Sequence, residues 1–269
     1  MTTSQLHIHN LSVSFQGQSA VHHIDIYVEK GKTTAIVGES GSGKSVTALA
    51  VLGLLPKSAT VTGEIRFEQD QLLSLPEKNL RHIRGKKIAM IFQEPMTSLN
   101  PVFTIGEQIE EVIRLHQRNS SRVARTKTLQ LLQEVGIPKN RVHAYPHEFS
   151  GGMCQRVMIA IALANEPLLL IADEPTTALD ATTSKQIIAL LFAAKQRRNM
   201  SMLFISHDLR VVASVADNIC VMRSGHIVES GKTARVLQQP TNEYTRALLA
   251  CQPSMHNRQK RLPTVPMEL

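Results

Sequence analysis

The sequence predicts an α/β protein: a core of buried strands and helices, with an antiparallel β subdomain before it and an α-helical subdomain inserted into it. Three observations predict this. An apolar, β-branched run at 33–37 enters the glycine-rich stretch 38–45 and leaves as a helix-compatible segment to Leu49. Three other short apolar runs, at 88–92, 168–172 and 202–205, each stop abruptly at a polar residue. Between the first two of these, apolar residues switch to helical spacing over 105–136.

Each element follows from its local pattern. Residues 5–29 alternate in strand fashion, with Leu6, Ile8, Leu11, Val13 and Phe15 before a Gly17 turn and the run 21–28 after it, so an antiparallel pair is expected. Phe15 is a candidate to stack on a purine ring; the plainer alternative is a core phenylalanine. Residues 61–67 predict another strand. Ile88-Ala89-Met90-Ile91-Phe92 reads as a buried strand ending at Gln93, and 94–101, with Pro95 and Pro101, is expected to hold no regular structure. Ile105, Ile109, Val112 and Ile113, then Leu129, Leu132 and Val135, set the helical period of the insertion.

The run 168–172 is a second core strand, closed by Asp173-Glu174-Pro175. Residues 187–194 are helical, and 202–205 form a third core strand closed by Ser206-His207-Asp208. Residues 218–222 and 226–229 flank Gly225 as a hairpin. After Pro240 one short apolar turn, 247–250, precedes a polar, basic tail expected to lack fixed structure. The expected division is 1–93 for the antiparallel β subdomain and the first part of the core, 94–156 for the helical insertion, 157–239 for the rest of the core and 240–269 for the tail.

A length of 269 residues with 42% hydrophobic content suffices for one large α/β unit with an insertion. The longest apolar runs are too short to span a bilayer, and the first residues lack the pattern of a signal peptide. Cys154, Cys220 and Cys251 have no metal-site or disulfide-framework spacing, which points to a cytoplasmic setting. The net charge of +8 invites a nucleic-acid or membrane-surface reading. With no Trp and three Tyr there is little to stack on bases, so no nucleic-acid partner is expected.

The stretch 38–45 matches G-x-x-x-x-G-K-[ST] at every fixed position. Glycines let the backbone approach a ligand closely, and the resulting nest of N–H groups at a positive helix end suits a phosphate chain. Gly38, Glu39, Ser40, Gly41, Ser42, Gly43, Lys44, Ser45 and Val46 are therefore candidate nucleotide-binding residues. Lys44 reaches for the β- and γ-phosphates and Ser45 for Mg²⁺. In an open parallel sheet ligands sit at the carboxyl ends of strands, where Gln93, Asp173-Glu174 and His207 fall. Asp173 is a candidate for the Mg²⁺ environment, Glu174 for general base, His207 for orienting water or the γ-phosphate, and Gln93 for Mg²⁺ or water. Singly, each has a plainer reading: a strand cap, a surface charge, a satisfied core histidine.

One more motif, Phe149-Ser150-Gly151-Gly152-Met153-Cys154-Gln155-Arg156, opens a helix and makes a second anion site. With it, the chain resembles the ATP-binding subunits of ABC transporters over residues 5–250. Walker A (Gly38 to Ser45), Q-loop (Gln93), signature (Ser150 to Met153), Walker B (ending at Asp173), D-loop (Ala178-Leu179-Asp180) and H-loop (His207) stand in that family's order. Phe149 and Met153 depart from the usual ends of the signature. The segments 93–101 and 243–249 resemble the peptide/nickel branch of bacterial importers.

The resemblance implies a RecA-like P-loop NTPase core, ATP and Mg²⁺ as cofactors, and Ser150, Gly151, Gly152 and Asp180 at a nucleotide sandwiched between two chains. It also implies a second ATPase subunit (a heterodimer, or else a homodimer), two membrane permeases, an extracytoplasmic solute-binding protein, and a place on the cytoplasmic face of the inner membrane. The lack of a cysteine cluster near the end leans the expected cargo towards nickel or another transition metal, free or bound to a metallophore. The alternative is di- or oligopeptide import, and a soluble ABC-type ATPase of DNA repair or translation is a more distant one. A GTPase lacks its base-reading motif here, and a kinase leaves 150–152 unexplained.

Overall fold

The alternation of the first thirty residues becomes a long antiparallel pair, β1 (Ser4–Phe15) with β2 (Gln18–Glu29). The computed structural model describes residues 4–117, 120–177 and 179–251. These form two compact units, one taking the chain up to Leu73 and again from Leu203, the other Ser74–Met202. In the first, Leu6, Ile8, Leu11 and Val13 of β1 and Ile24, Ile26 and Val28 of β2 are buried. The register slips between Ile8 and Leu11, where Asn10 takes a φ of 49°, so His9 and Asn10 both face outward and the apolar phase is restored at Leu11. β3 (Thr33–Val37) is buried at every position, the signature of a central strand covered on both faces. It leads through the glycine loop into α1 (Lys44–Val51). β4 (Ala59–Phe67) pairs antiparallel with β1 and β5 (Asp70–Gln71), giving the sheet order β2-β1-β4-β5.

The second unit opens with α2 (Glu77–Ile83) and β6 (Ile88–Ile91). The strand stops one residue earlier than its sequence suggests, leaving Phe92 exposed. The expectation of no regular structure at 94–101 is corrected: α3 (Pro95–Ser98) is a single helical turn. Proline is tolerated at the first helical position, whose N–H needs no partner, and Ser98 Oγ donates to Glu94 O at 2.7 Å. α4 (Ile105–Gln117) buries Ile105, Ile109 and Ile113 on one face, as their spacing predicts. α5 (Ser121–Glu134) ends at Glu134, which accepts from Arg197 and Arg198 at the end of α7 (Ala181–Arg198) at 2.9 and 2.7 Å. Between them lie α6 (Gly151–Leu163) and β7 (Leu169–Asp173), which is fully buried and pairs parallel with β6, Ile91 opposite Ala172.

β8 (Ser201–Ile205) leads back into the first unit, followed by α8 (Leu209–Val215), β9 (Asn218–Arg223), β10 (His226–Lys232) and α9 (Thr233–Gln238). There β3 lies between β9 and β8, and β9 also pairs with β10 in the expected hairpin. The short turn expected at 247–250 is instead part of a docked helix, α10 (Glu243–Ala250), with Tyr244 and Thr245 buried. Its anchor is a buried carboxylate: Glu229 accepts from Thr241 N at 2.8 Å and Asn242 N at 3.2 Å, just before the helix starts. The basic tail expected after it lies outside the described residues. Among the described residues no helix is long and apolar enough to cross a membrane.

Candidate active site

In the first unit the loop between β3 and α1 is shaped by what lies against it. At Gly38 a side chain is impossible: a Cβ there would sit 2.0 Å from Met222 O of β9. Gly43, with a φ of 103°, is the residue from which α1 starts, and a Cβ on it would meet Ala20 O of β2 at 2.8 Å. The loop is thus pinned between two strands far apart in sequence. Lys44 is buried and folds back over the loop, its ammonium donating to Gly38 O at 2.9 Å and Glu39 O at 2.7 Å. Ser42 Oγ is buried and finds no hydrogen-bond partner among the described residues. α1 begins without a side-chain cap, which leaves its N–H dipoles available to an anion. A glycine cradle, an uncapped helix start, an orphaned hydroxyl and an ammonium together fit a polyphosphate.

Ser45 and Val46 lie in the first turn of α1, partly exposed, and Glu39, Ser40 and Gly41 form the exposed rim. Phe15 is half-buried at the tip of the β1–β2 pair, the same pair whose Ala20 abuts Gly43. His207 leaves the end of β8 next to β3, its position set by Ser206 N donating to Ile36 O at 3.2 Å. It is exposed, which removes the core-histidine alternative. Asp208 then caps α8 by accepting from Arg210 N at 2.9 Å.

Sequence reasoning missed one group here. Glu39 N donates to Tyr244 Oη at 3.3 Å, so the C-terminal helix braces the loop's rim. Arg223 lies over the Tyr244 ring, 4.9 Å from its centre, and burial holds the phenol above its usual pKa. A separation of 205 residues leaves no local signal for this contact.

The second unit gathers the remaining candidates. β6 and β7 are parallel neighbours, so Gln93 and Asp173-Glu174 lie at the same carboxyl end of the pair. Asp173 is buried at the strand end and Gln93 is exposed. Glu174 sits in the left-handed region at a φ of 46°, a conformation that costs a non-glycine residue about 1–3 kcal/mol and gathers at functional sites. Its Oε2 accepts from Thr177 Oγ1 at 2.7 Å, which fixes the carboxylate; a threonine three residues on was the available clue.

Ser150 is the N-cap of α6, its Oγ accepting from Met153 N at 3.4 Å. A Cβ on Gly152 would fall 2.6 Å from Thr183 Cγ2 in the first turn of α7, whereas one on Gly151 would make only ordinary contact. Asp180 caps α7, accepting from the N–H groups of Thr182 and Thr183 at 2.9 Å and from Thr183 Oγ1 at 2.6 Å. These bonds, first that of the Thr183 hydroxyl, hold its carboxyl below the usual range. Ala178 of the expected D-loop lies outside the described residues.

Residues 21–177 match the family model described as ABC transporter. The chain is 54% identical over 260 residues to the peptidoglycan transport ATP-binding protein YejF of Agrobacterium fabrum, covering 94% of this chain but only about half of that protein, 48%. It is 47% identical over 263 residues to the oligopeptide transport ATP-binding protein OppD of Bacillus subtilis, covering 95% of this chain and 74% of that one. Among solved structures it resembles the ATP-binding cassette MJ0796 in a dimeric post-hydrolysis state bound to ADP and Pi. That likeness has a TM-score of 0.75 at 27% identity, over 85% of this chain and 98% of the other.

Proposed function

We propose, from the premise that this chain belongs to the ABC transporter family and is one of its ATP-hydrolysing cassettes, that it powers import of peptides across a cell membrane. The observation that carries the cargo reading is 47% identity, over 95% of this chain and 74% of the relative, to an oligopeptide transport ATP-binding protein. The expected nickel or metallophore cargo gives way to its peptide alternative, because the absence of a cysteine cluster says nothing about cargo while both relatives above carry peptide-related names. Family membership also removes the kinase and GTPase alternatives.

In this reading the loop from Gly38 to Val46 binds the phosphates of ATP, with Lys44 turning from its own loop carbonyls to the β- and γ-oxygens. Ser42 Oγ gains the partner it lacks among the described residues. Phe15 lies against the base. Ser45, Gln93 and Asp173 would hold Mg²⁺, whose charge offsets that of the phosphate oxygens. Glu174, oriented by Thr177, takes the proton of the attacking water, and His207 orients that water at the γ-phosphate. Ser150, Gly151 and Gly152 serve the nucleotide of a second cassette, which supports an obligate pair. The helical insertion at 94–156 passes the state of that pair to two permease subunits, with an extracytoplasmic binding protein delivering cargo and this chain peripheral on the cytoplasmic face.

Uptake of a radiolabelled dipeptide, a labelled oligopeptide and labelled nickel, compared in strains with and without this chain, tests the cargo. Loss of peptide uptake with nickel uptake unchanged is expected. Loss of nickel uptake alone overturns the peptide assignment and restores the metal one.

A further inference from the structure

We propose that the outer face of the β2-β1-β4 sheet carries a transition-metal site built from His7, His9 and Asp25. It does not rest on the cargo reading and lies outside the nucleotide loop. Strand alternation places His7 and His9, two residues apart on β1, on the solvent face, opposite the buried Leu6 and Ile8. On β2, Tyr27 stands opposite His7 and Asp25 follows two residues away on the same face. One ligand atom from each of His7, His9 and Asp25 lies within 4.8 Å of the others, and His9 Nδ1 is 2.6 Å from Asp25 Oδ1.

Three further observations make this more than a surface ion pair. His7 Nε2 is buried and has no hydrogen-bond partner among the described residues, although its residue stands on the outward face. The Tyr27 ring stacks on the imidazole at 4.2 Å, so the ring is shielded and held in orientation. Asp25 is also fixed from behind: Asn10 N, at the register slip of β1, donates to its Oδ1 at 3.1 Å, the kind of outer bond that orients a ligand carboxylate. On the other flank, Glu64 and Arg66 of β4 stand opposite His9 and His7 and pair with each other at 2.9 Å, so the guanidinium beside the site is already balanced by a carboxylate.

Two imidazoles and one carboxylate suit Zn²⁺ or Ni²⁺ and leave open positions for water; they are a poor set for Mg²⁺, which takes oxygen ligands. The test is calorimetric titration of Zn²⁺, Ni²⁺ and Mg²⁺ into the chelator-stripped, nucleotide-free full chain. Binding of Zn²⁺ or Ni²⁺ is expected, and of Mg²⁺ not. His9→Ala and Asp25→Asn should each weaken it at least about tenfold, the scale on which even outer partners of metal sites act. Both residues are largely exposed, and Asp25→Asn keeps the shape of the side chain, so melting temperatures of the metal-free variants serve as the folding control. Broadening of the His7 and His9 imidazole NMR signals by Ni²⁺ should accompany binding. Unchanged affinity in the His9→Ala/Asp25→Asn double variant, or no broadening at His7 and His9, overturns the proposal.

Discussion

The chain uses a glycine-rich turn into a helix twice, and the two turns are built in opposite ways. At 38–45 the turn is locked from outside: the carbonyls of Met222 and Ala20 press on Gly38 and Gly43, Tyr244 braces the rim, and Lys44 lies across the loop. Its helix has no side-chain cap, so the positive end is left for a ligand. At 150–152 the helix is capped by its own Ser150, through a long 3.4 Å bond, and Gly152 is required chiefly because Thr183 stands against it. A third helix start, that of α7, is closed by Asp180 through three bonds. Ranked by what each leaves unsatisfied, α1 is the start we propose as an anion site complete within one chain, α6 as one that is half-committed, and α7 as none. In the proposed reading the difference makes binding and hydrolysis separable: the phosphate cradle lies within one chain, and the groups proposed to act on the γ-phosphate lie elsewhere in the chain or in a partner.

The strongest way to sharpen this division is Glu174→Gln. A general base contributes about two to four orders of magnitude, so turnover of the assembled transporter should fall by roughly that factor while ATP affinity stays as in the parent. The amide still accepts from Thr177, so the left-handed turn should survive. Single-turnover hydrolysis alongside equilibrium binding of a fluorescent ATP analogue measures both. Near-parental turnover removes Glu174 from the base role.

A smaller effect separates the two signature glycines. Gly152→Ala drives a methyl into Thr183, and Gly151→Ala does not. We expect Gly152→Ala to lower turnover of the paired cassettes at least about tenfold, since an ångström of displacement at a charged contact costs about that or more. Gly151→Ala should cost less, and ATP binding by the isolated chain should change in neither. If dilute isolated chain already turns over at the rate of the pair, α6 acts within its own chain and the half-committed reading fails.

Much of this is legible in the sequence because it is local. The fully buried strands β3, β7 and β8 each contain an uninterrupted apolar run, and the phosphate loop is fixed by residues adjacent in the chain. The long α7 shows in the sequence only at its apolar centre, 187–194, because its first turns are set by a polar cap and its last by Arg197 and Arg198 on Glu134. α3 escapes a sequence reading because its two flanking prolines look like breakers, when one of them opens the helix. α10 and Tyr244 are out of reach, since the helix is docked by Glu229 and its phenol meets Glu39 across 205 positions. The face shared by His7, His9 and Asp25 likewise needs strand register, including a slip at Asn10 that no alternation pattern announces.

The smallest expected effect lies at Asp180, which the family resemblance assigns to the nucleotide and the geometry assigns to its own helix. If the cap is its work, Asp180→Ala should lower the melting temperature at neutral pH and leave ATP affinity of the isolated chain unchanged. The pH dependence follows from the direction of its pKa. The folded carboxyl is held below the ordinary aspartate value, first by the Thr183 hydroxyl, so its contribution is fully present above that ordinary value. It is lost as pH falls through the lowered folded value. The gap in melting temperature between the parent and Asp180→Ala should therefore be constant around neutrality and narrow only in acid, below the ordinary aspartate range. A loss of ATP affinity beyond about tenfold, roughly 1.4 kcal/mol, exceeds what a distant helix cap transmits and would return Asp180 to the nucleotide.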